Sequence, residues 1–103
     1  MNMIQQLFGG GTPINLKTII DEGAFLVDVR TAGEFAEGQV KGSVNILLTS
    51  IQAQLEKFKT RKKIVVFCRS GARSSQAKAI LEQNGITNVV NGGAWMDVSQ
   101  YVK

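Results

Sequence analysis

The run Ile64-Val65-Val66-Phe67-Cys68 constrains the fold more than any other feature, because it is the longest uninterrupted apolar stretch in the chain. Three β-branched residues followed by an aromatic suit a strand buried on both faces, as at the centre of a parallel sheet. The run is far shorter than the roughly 18 residues of a membrane span. Directly after it, Arg69 to Ser74 form a polar loop containing a glycine. A helix is expected from about Ser74 to Asn84, with Ala77, Ile80 and Leu81 inward and Gly85 as its stop.

The rest of the chain repeats this alternation. A helix is expected over about Leu16 to Glu22, capped by Asn15 and stopped by Gly23, and a buried strand over Phe25 to Val29. Thr31 precedes Glu34 by three residues, the spacing of a capping box, and the turn it starts ends at Gly38. Val44 to Leu47 reads as a short strand. Leu48, Ile51, Leu55 and Phe58 recur at intervals of 3, 4 and 3, which predicts a helix of about three turns started by Thr49 or Ser50. Thr87 to Val90 reads as a strand, Gly92-Gly93 as a turn, and Ala94 to Val102 as a last helix with Trp95, Val98 and Val102 on its apolar side. Alternating strands and helices predict an α/β domain with a mainly parallel sheet. At 103 residues, 44% of them apolar, the chain suffices for one domain and not two. Gly9, Gly10 and Gly11 set off residues 1–11 as a tail or partly packed segment, leaving 12–103 as the domain.

Two counts narrow the chemistry. With no histidine and one cysteine, a Ser-His-Asp triad, a Cys-His dyad, His-ligated zinc, an intrachain disulfide and a Cys-rich metal cluster are all excluded. No cofactor and no metal are expected. The net charge of +4 favours anionic ligands in general and is not a nucleic-acid signature. The densest basic stretch, Lys57 to Lys63, reads either as solvating a helix end or as a docking patch. Met1 to Phe8 has neither a basic start nor an apolar stretch of secretory length, so a cytoplasmic protein is expected, and separately a monomer with neither a membrane nor a nucleic acid as partner.

The remaining candidate for chemistry is the thiol of Cys68. It ends the central strand where open α/β sheets place their ligands. Backbone N–H groups of Arg69 to Ser74 can converge on the sulfur, the following helix adds positive partial charge, and Arg69 and Arg73 add two cations. All three favour thiolate over thiol. Gly71 lets the loop turn without a Cβ in the way. The competing reading makes Cys68 a small buried hydrophobe. Against it stands the polar, doubly cationic loop, which an inert core cysteine does not require.

Four segments in register resemble the rhodanese family. They are Cys68-Arg69-Ser70-Gly71-Ala72-Arg73-Ser74, the stretch from Phe25 to Arg30 with Glu34, Phe35 and Gly38, the stretch from Gly42 to Ile46, and Asn91-Gly92-Gly93-Ala94-Trp95. The resemblance spans roughly Asn15 to Val102. It departs from the family pattern at Gln39-Val40, where His-Ile is usual, and at Leu47, where Pro is common. It implies a rhodanese fold, a five-stranded mainly parallel sheet flanked by helices, and a sulfurtransferase working through a cysteine persulfide. Cys68 would be the nucleophile, with Arg69, Ser70, Gly71, Ala72, Arg73 and Ser74 binding substrate. Asp28 and Arg30 would support the loop and pair with acidic residues such as Glu34. The partners implied are a small anionic sulfur donor, such as thiosulfate or a persulfide, and a thiophilic acceptor: cyanide, a thiol or a reduced redox protein. Two rivals remain. One is a rhodanese-like relay or binding module with little turnover. The other is a cysteine phosphatase or arsenate reductase, whose loop has one more residue between Cys and Arg than separates Cys68 from Arg73.

Overall fold

The computed structural model describes residues 15–103, so the expectation for residues 1–11 lies outside the described part of the chain. Helix α1 (Leu16–Asp21) leads into strand β1 (Phe25–Asp28), helix α2 (Ala32–Glu37) and the short strand β2 (Val44–Asn45). After two 3-10 turns (Leu48–Ser50 and Gln52–Gln54) come helix α3 (Glu56–Lys59), strand β3 (Ile64–Cys68), helix α4 (Ala72–Gln83), strand β4 (Val89–Ala94) and helix α5 (Trp95–Ser99).

The strands lie in the order β2-β1-β3-β4 and every pairing is parallel. Among the described residues the sheet has four strands, not the five implied by the resemblance. The chain moves from β1 outward to β2 and then crosses back to β3. The order therefore reverses between β1 and β3, and a crevice opens at their carboxyl ends. Cys68 closes β3 and Asp28 closes β1, so both stand at that reversal.

Alternation along β3 divides the core between the two faces of the sheet. Ile64, Val66 and Cys68 join Val27, Phe58, Ala77 and Leu81 on the face covered by α4. Val65 and Phe67 join Leu26, Val90 and Val98 on the other face, where Leu16, Ile19 and Trp95 pack. Because period 2 puts Cys68 on the α4 side, the thiol lies beside the start of that helix.

Several local expectations hold. Asn15 caps α1 by accepting from the Thr18 N–H, and Thr31 and Glu34 form a reciprocal capping box at α2. Three do not. The apolar stripe from Leu48 to Phe58 is broken into two 3-10 turns and one short helix, although Ile51 and Phe58 are buried as its spacing predicted. Intervals of 3 and 4 suit 3-10 and α turns alike, so the stripe fixed the buried face and not the helix type. Gly92-Gly93 is not a turn. Val66 pairs with Asn91 and Phe67 with Gly93, so Gly92 is the extra residue of a β-bulge within β4. A Cβ there would sit 2.8 Å from Val98 Cγ2 and 2.9 Å from Val65 Cγ1, which is why the bulged position is glycine. Finally, α5 begins at Trp95 and ends at Ser99, shorter than the expected Ala94 to Val102, because Ala94 is still paired with Cys68 in the sheet.

Candidate active site

Helix α4 starts two residues earlier than its sequence suggested, and the reason lies in the site itself. Gly71 occupies the N-cap position with φ of +103°, a left-handed conformation that strains any residue with a Cβ. No side chain of the kinds that usually cap helices accepts from the first turn. The sulfur of Cys68 takes that place. It accepts from the Gly71 N–H at 3.0 Å and from the Ser74 N–H at 3.4 Å, with the Ser74 hydroxyl 3.6 Å away. A thiolate in this position is both the helix cap and the anion at the positive end of α4.

Opposing effects set the thiol's acidity. Burial pushes the Cys68 pKa up, because the residue is 1% exposed. The Ser74 hydroxyl and the N–H groups of Ser74, Ser70 and Gly71 outweigh it and bring the value from 9.0 down to about 7. The loop hydrogen bonds are the main cause of the lowering, and of the two cations the sequence suggested Arg73 also interacts with the Cys68 charge. Alkylation of Cys68 by iodoacetamide is accordingly expected to reach half its maximal rate near pH 7. A midpoint near 9 would show that the loop amides do not stabilise the thiolate.

The loop's two arginines differ. Arg73 Nη1 and Nη2 donate to the two Glu34 carboxylate oxygens at 2.7 and 3.0 Å. This fork, with the capping-box N–H of Thr31, holds the Glu34 pKa at about 2, so the pair survives until the pH approaches that value. Arg69 is exposed and forms no ion pair among the described residues. Together with Arg30, Glu37, Gly38, Trp95 and Met96 it walls a cleft of about 400 Å³ beside the loop.

The expected pairing of Arg30 with Glu34 is not what forms. Arg30 closes on Asp28, with Nη2 2.7 Å from Oδ2 and Nε 3.0 Å from each carboxylate oxygen, and both residues are buried. Residues two apart at a strand end lie on one side, which brings this pair together and leaves Glu34 to the loop. Arg30 Nη2 also donates to the Gly38 carbonyl at 2.7 Å, and the guanidinium lies 4.5 Å above the Trp95 ring. Trp95 thus serves as an anchor, packed on the second core cluster.

Sequence reasoning did not single out Asn91. Its side-chain carbonyl receives the Ser74 hydroxyl at 2.6 Å, and its amide donates to the Gly71 carbonyl at 3.2 Å. The sequence shows only an asparagine before a glycine pair; it is the bulge formed in the folded sheet that aims this side chain at the site.

An all-parallel α/β sheet with a sulfur-capped helix at its switch point defines a class of domain organised around one ionisable thiol. Comparison with known proteins gives the particular family: the rhodanese-like domain model matches residues 12–94, and the chain belongs to that family. A sulfurtransferase of Allochromatium vinosum is 38% identical over 78 residues, covering 72% of this chain and 73% of that protein. A thiosulfate sulfurtransferase of Escherichia coli, PspE, is 32% identical over 75 residues, covering 71% of this chain and 72% of the relative. Among solved structures, a protein of Staphylococcus saprophyticus superposes with a TM-score of 0.69 at 37% identity, covering 82% of this chain and 85% of that one. The chain is a sulfurtransferase-like rhodanese domain. No helix among the described residues is long and apolar enough to cross a membrane.

Proposed function

We propose that the protein transfers a sulfane sulfur from an anionic donor such as thiosulfate to a thiophilic acceptor through a persulfide on Cys68. The observation that carries this reading is the convergence of the Gly71 and Ser74 N–H groups on the thiol. The thiolate attacks the outer sulfur of thiosulfate. A new S–S bond forms as the donor's S–S bond breaks, and sulfite departs with the bonding electrons, leaving Cys–S–S⁻. The loop amides then face an anion one atom longer. Cyanide or a thiolate attacks the outer sulfur, giving thiocyanate or a new persulfide and restoring the Cys68 thiolate. The cycle needs no general base, because a thiol with a pKa of about 7 is substantially ionised at neutral pH. A reduced redox protein would serve as acceptor by supplying the attacking thiolate.

The phosphatase alternative is disfavoured by a specific contact. Arg73 is turned away to Glu34 and does not present its fork to the thiol's anion site. Steady-state thiocyanate formation from thiosulfate and cyanide tests the proposal, together with a mass gain of one sulfur on Cys68. Sulfur loading from a protein persulfide without thiosulfate turnover would instead establish the relay. Hydrolysis of p-nitrophenyl phosphate alone would establish the phosphatase.

The two arginines predict different kinetics. Arg69→Ala removes an unpaired cation from the cleft wall and is expected to raise KM for thiosulfate about three- to tenfold, with little change in kcat. Arg73→Ala removes the tie between α4 and Glu34, so kcat is expected to fall while KM rises. Equal KM for Arg69→Ala and wild type would remove Arg69 from the donor's path.

A further inference from the structure

The β4 bulge aims Asn91 back at the start of α4, where it meets a hydroxyl with too many acceptors. Ser74 is completely buried. Around its Oγ stand Asn91 Oδ1 at 2.6 Å, the Gly71 carbonyl at 3.1 Å and Cys68 Sγ at 3.6 Å. The amide of Asn91 has one sensible orientation. Its Oδ1 accepts from the Gly93 N–H at 2.9 Å and its Nδ2 donates to the Gly71 carbonyl at 3.2 Å. Flipping it would set donor against donor and oxygen against oxygen. The single hydroxyl hydrogen therefore has to choose between oxygen acceptors and the sulfur.

We propose that the Ser74 hydroxyl is a two-position hydrogen-bond donor shared between Asn91 Oδ1 and Cys68 Sγ, which makes Asn91 a positioning residue for the nucleophile. The role within a catalytic cycle rests on the sulfur-transfer reading above. With the thiol protonated, S–H donates to Ser74 Oγ and the hydroxyl donates to Asn91. When the thiol gives its proton to solvent, the hydroxyl rotates onto the sulfur, and Asn91 Oδ1 keeps only the Gly93 N–H. Loading with sulfur moves the negative charge from Sγ to the outer atom, and the hydroxyl returns to Asn91. Asn91 thus competes with the thiolate for a hydrogen and holds its acidity below what the loop alone would give.

The charged groups around the site are held in pairs or face the cleft, although Arg73 also feels the charge on Cys68. Arg73 of α4 is paired with Glu34 of α2, Asp28 and Arg30 at the end of β1 are paired with each other, and Arg69 faces the cleft. The hydroxyl is the neutral group whose orientation follows the state of the sulfur.

A double-variant cycle, read by absorbance of the thiolate near 240 nm and by iodoacetamide alkylation at pH 6, tests this. Asn91→Ala is expected to lower the thiol pKa and speed alkylation about two- to tenfold, the worth of one released hydrogen bond. Ser74→Ala is expected to raise the pKa and slow alkylation. In the double variant, loss of Asn91 should have no further effect. A raised pKa in Asn91→Ala, or the same Asn91 effect with and without Ser74, would reduce Asn91 to a support for the loop and overturn the proposal. Both readouts need no sulfur donor. A chain that forms no thiocyanate but shows the coupling would therefore refute the transfer reading alone.

Discussion

Cys68→Ser is expected to reduce thiocyanate formation to background, a fall of at least about a thousandfold, while leaving the fold in place. The chain has no second cysteine to substitute and no histidine to activate the serine hydroxyl. An alcohol does not ionise at neutral pH, so the loop amides would have no anion to hold. Stability should change little, by about 1 kcal/mol or less, because the serine oxygen can still accept from the Gly71 and Ser74 N–H groups that now reach the sulfur. The variant should also show no sulfur adduct by intact mass after mixing with thiosulfate. Persistent turnover in Cys68→Ser would place the chemistry elsewhere in the chain and end the persulfide reading. Loss of the adduct with unfolding, detected by circular dichroism, would mean that the thiol is needed first as the cap of α4.

The two roles of that sulfur explain what the sequence disclosed and what it withheld. The central strand was legible because Ile64 to Phe67 has a composition that hardly fits another environment, and the loop because its polar residues follow the strand directly. The start of α4 was misplaced because helix starts are recognised from Ser, Thr, Asp or Asn at the cap. Here the cap is a cysteine three residues before Gly71 closes the turn, a tertiary feature of the folded loop. Gly92 reads as a turn in the sequence because glycine punctuates turns and bulges alike. Only the neighbours Val65 and Val98 decide between the two, and they come from another strand and another helix. The Arg73–Glu34 contact joins residues 39 positions apart, a distance at which sequence offers charge and no geometry. The Asp28–Arg30 pair was a different case. The sequence pointed Arg30 to Glu34, although the i,i+2 spacing at a strand end, which puts Asp28 and Arg30 on one side, was there to be read.

That pair also carries the largest expected effect on stability. Asp28 is 0% exposed and Arg30 3%. Asp28→Ala would strand the guanidinium in the core with the Gly38 carbonyl and the Trp95 face as its remaining partners. Breaking one side of a buried ion pair costs about 3–5 kcal/mol, a large part of the roughly 5–15 kcal/mol that holds a domain folded. The melting temperature should fall by more than about 10 °C. Replacing both partners, as Asp28→Leu with Arg30→Met, should cost much less, because no charge is then left uncompensated. The thiol titration separates this structural role from a role in chemistry. Loop hydrogen bonds set the acidity of Cys68, so its midpoint should stay near 7 in folded Asp28→Ala protein. A loss below about 1 kcal/mol would mean that Arg30 escapes to water through the adjoining cleft. In that case the link from β1 through Arg30 to Gly38 and Trp95 would be a consequence of the folded site and not one of its supports.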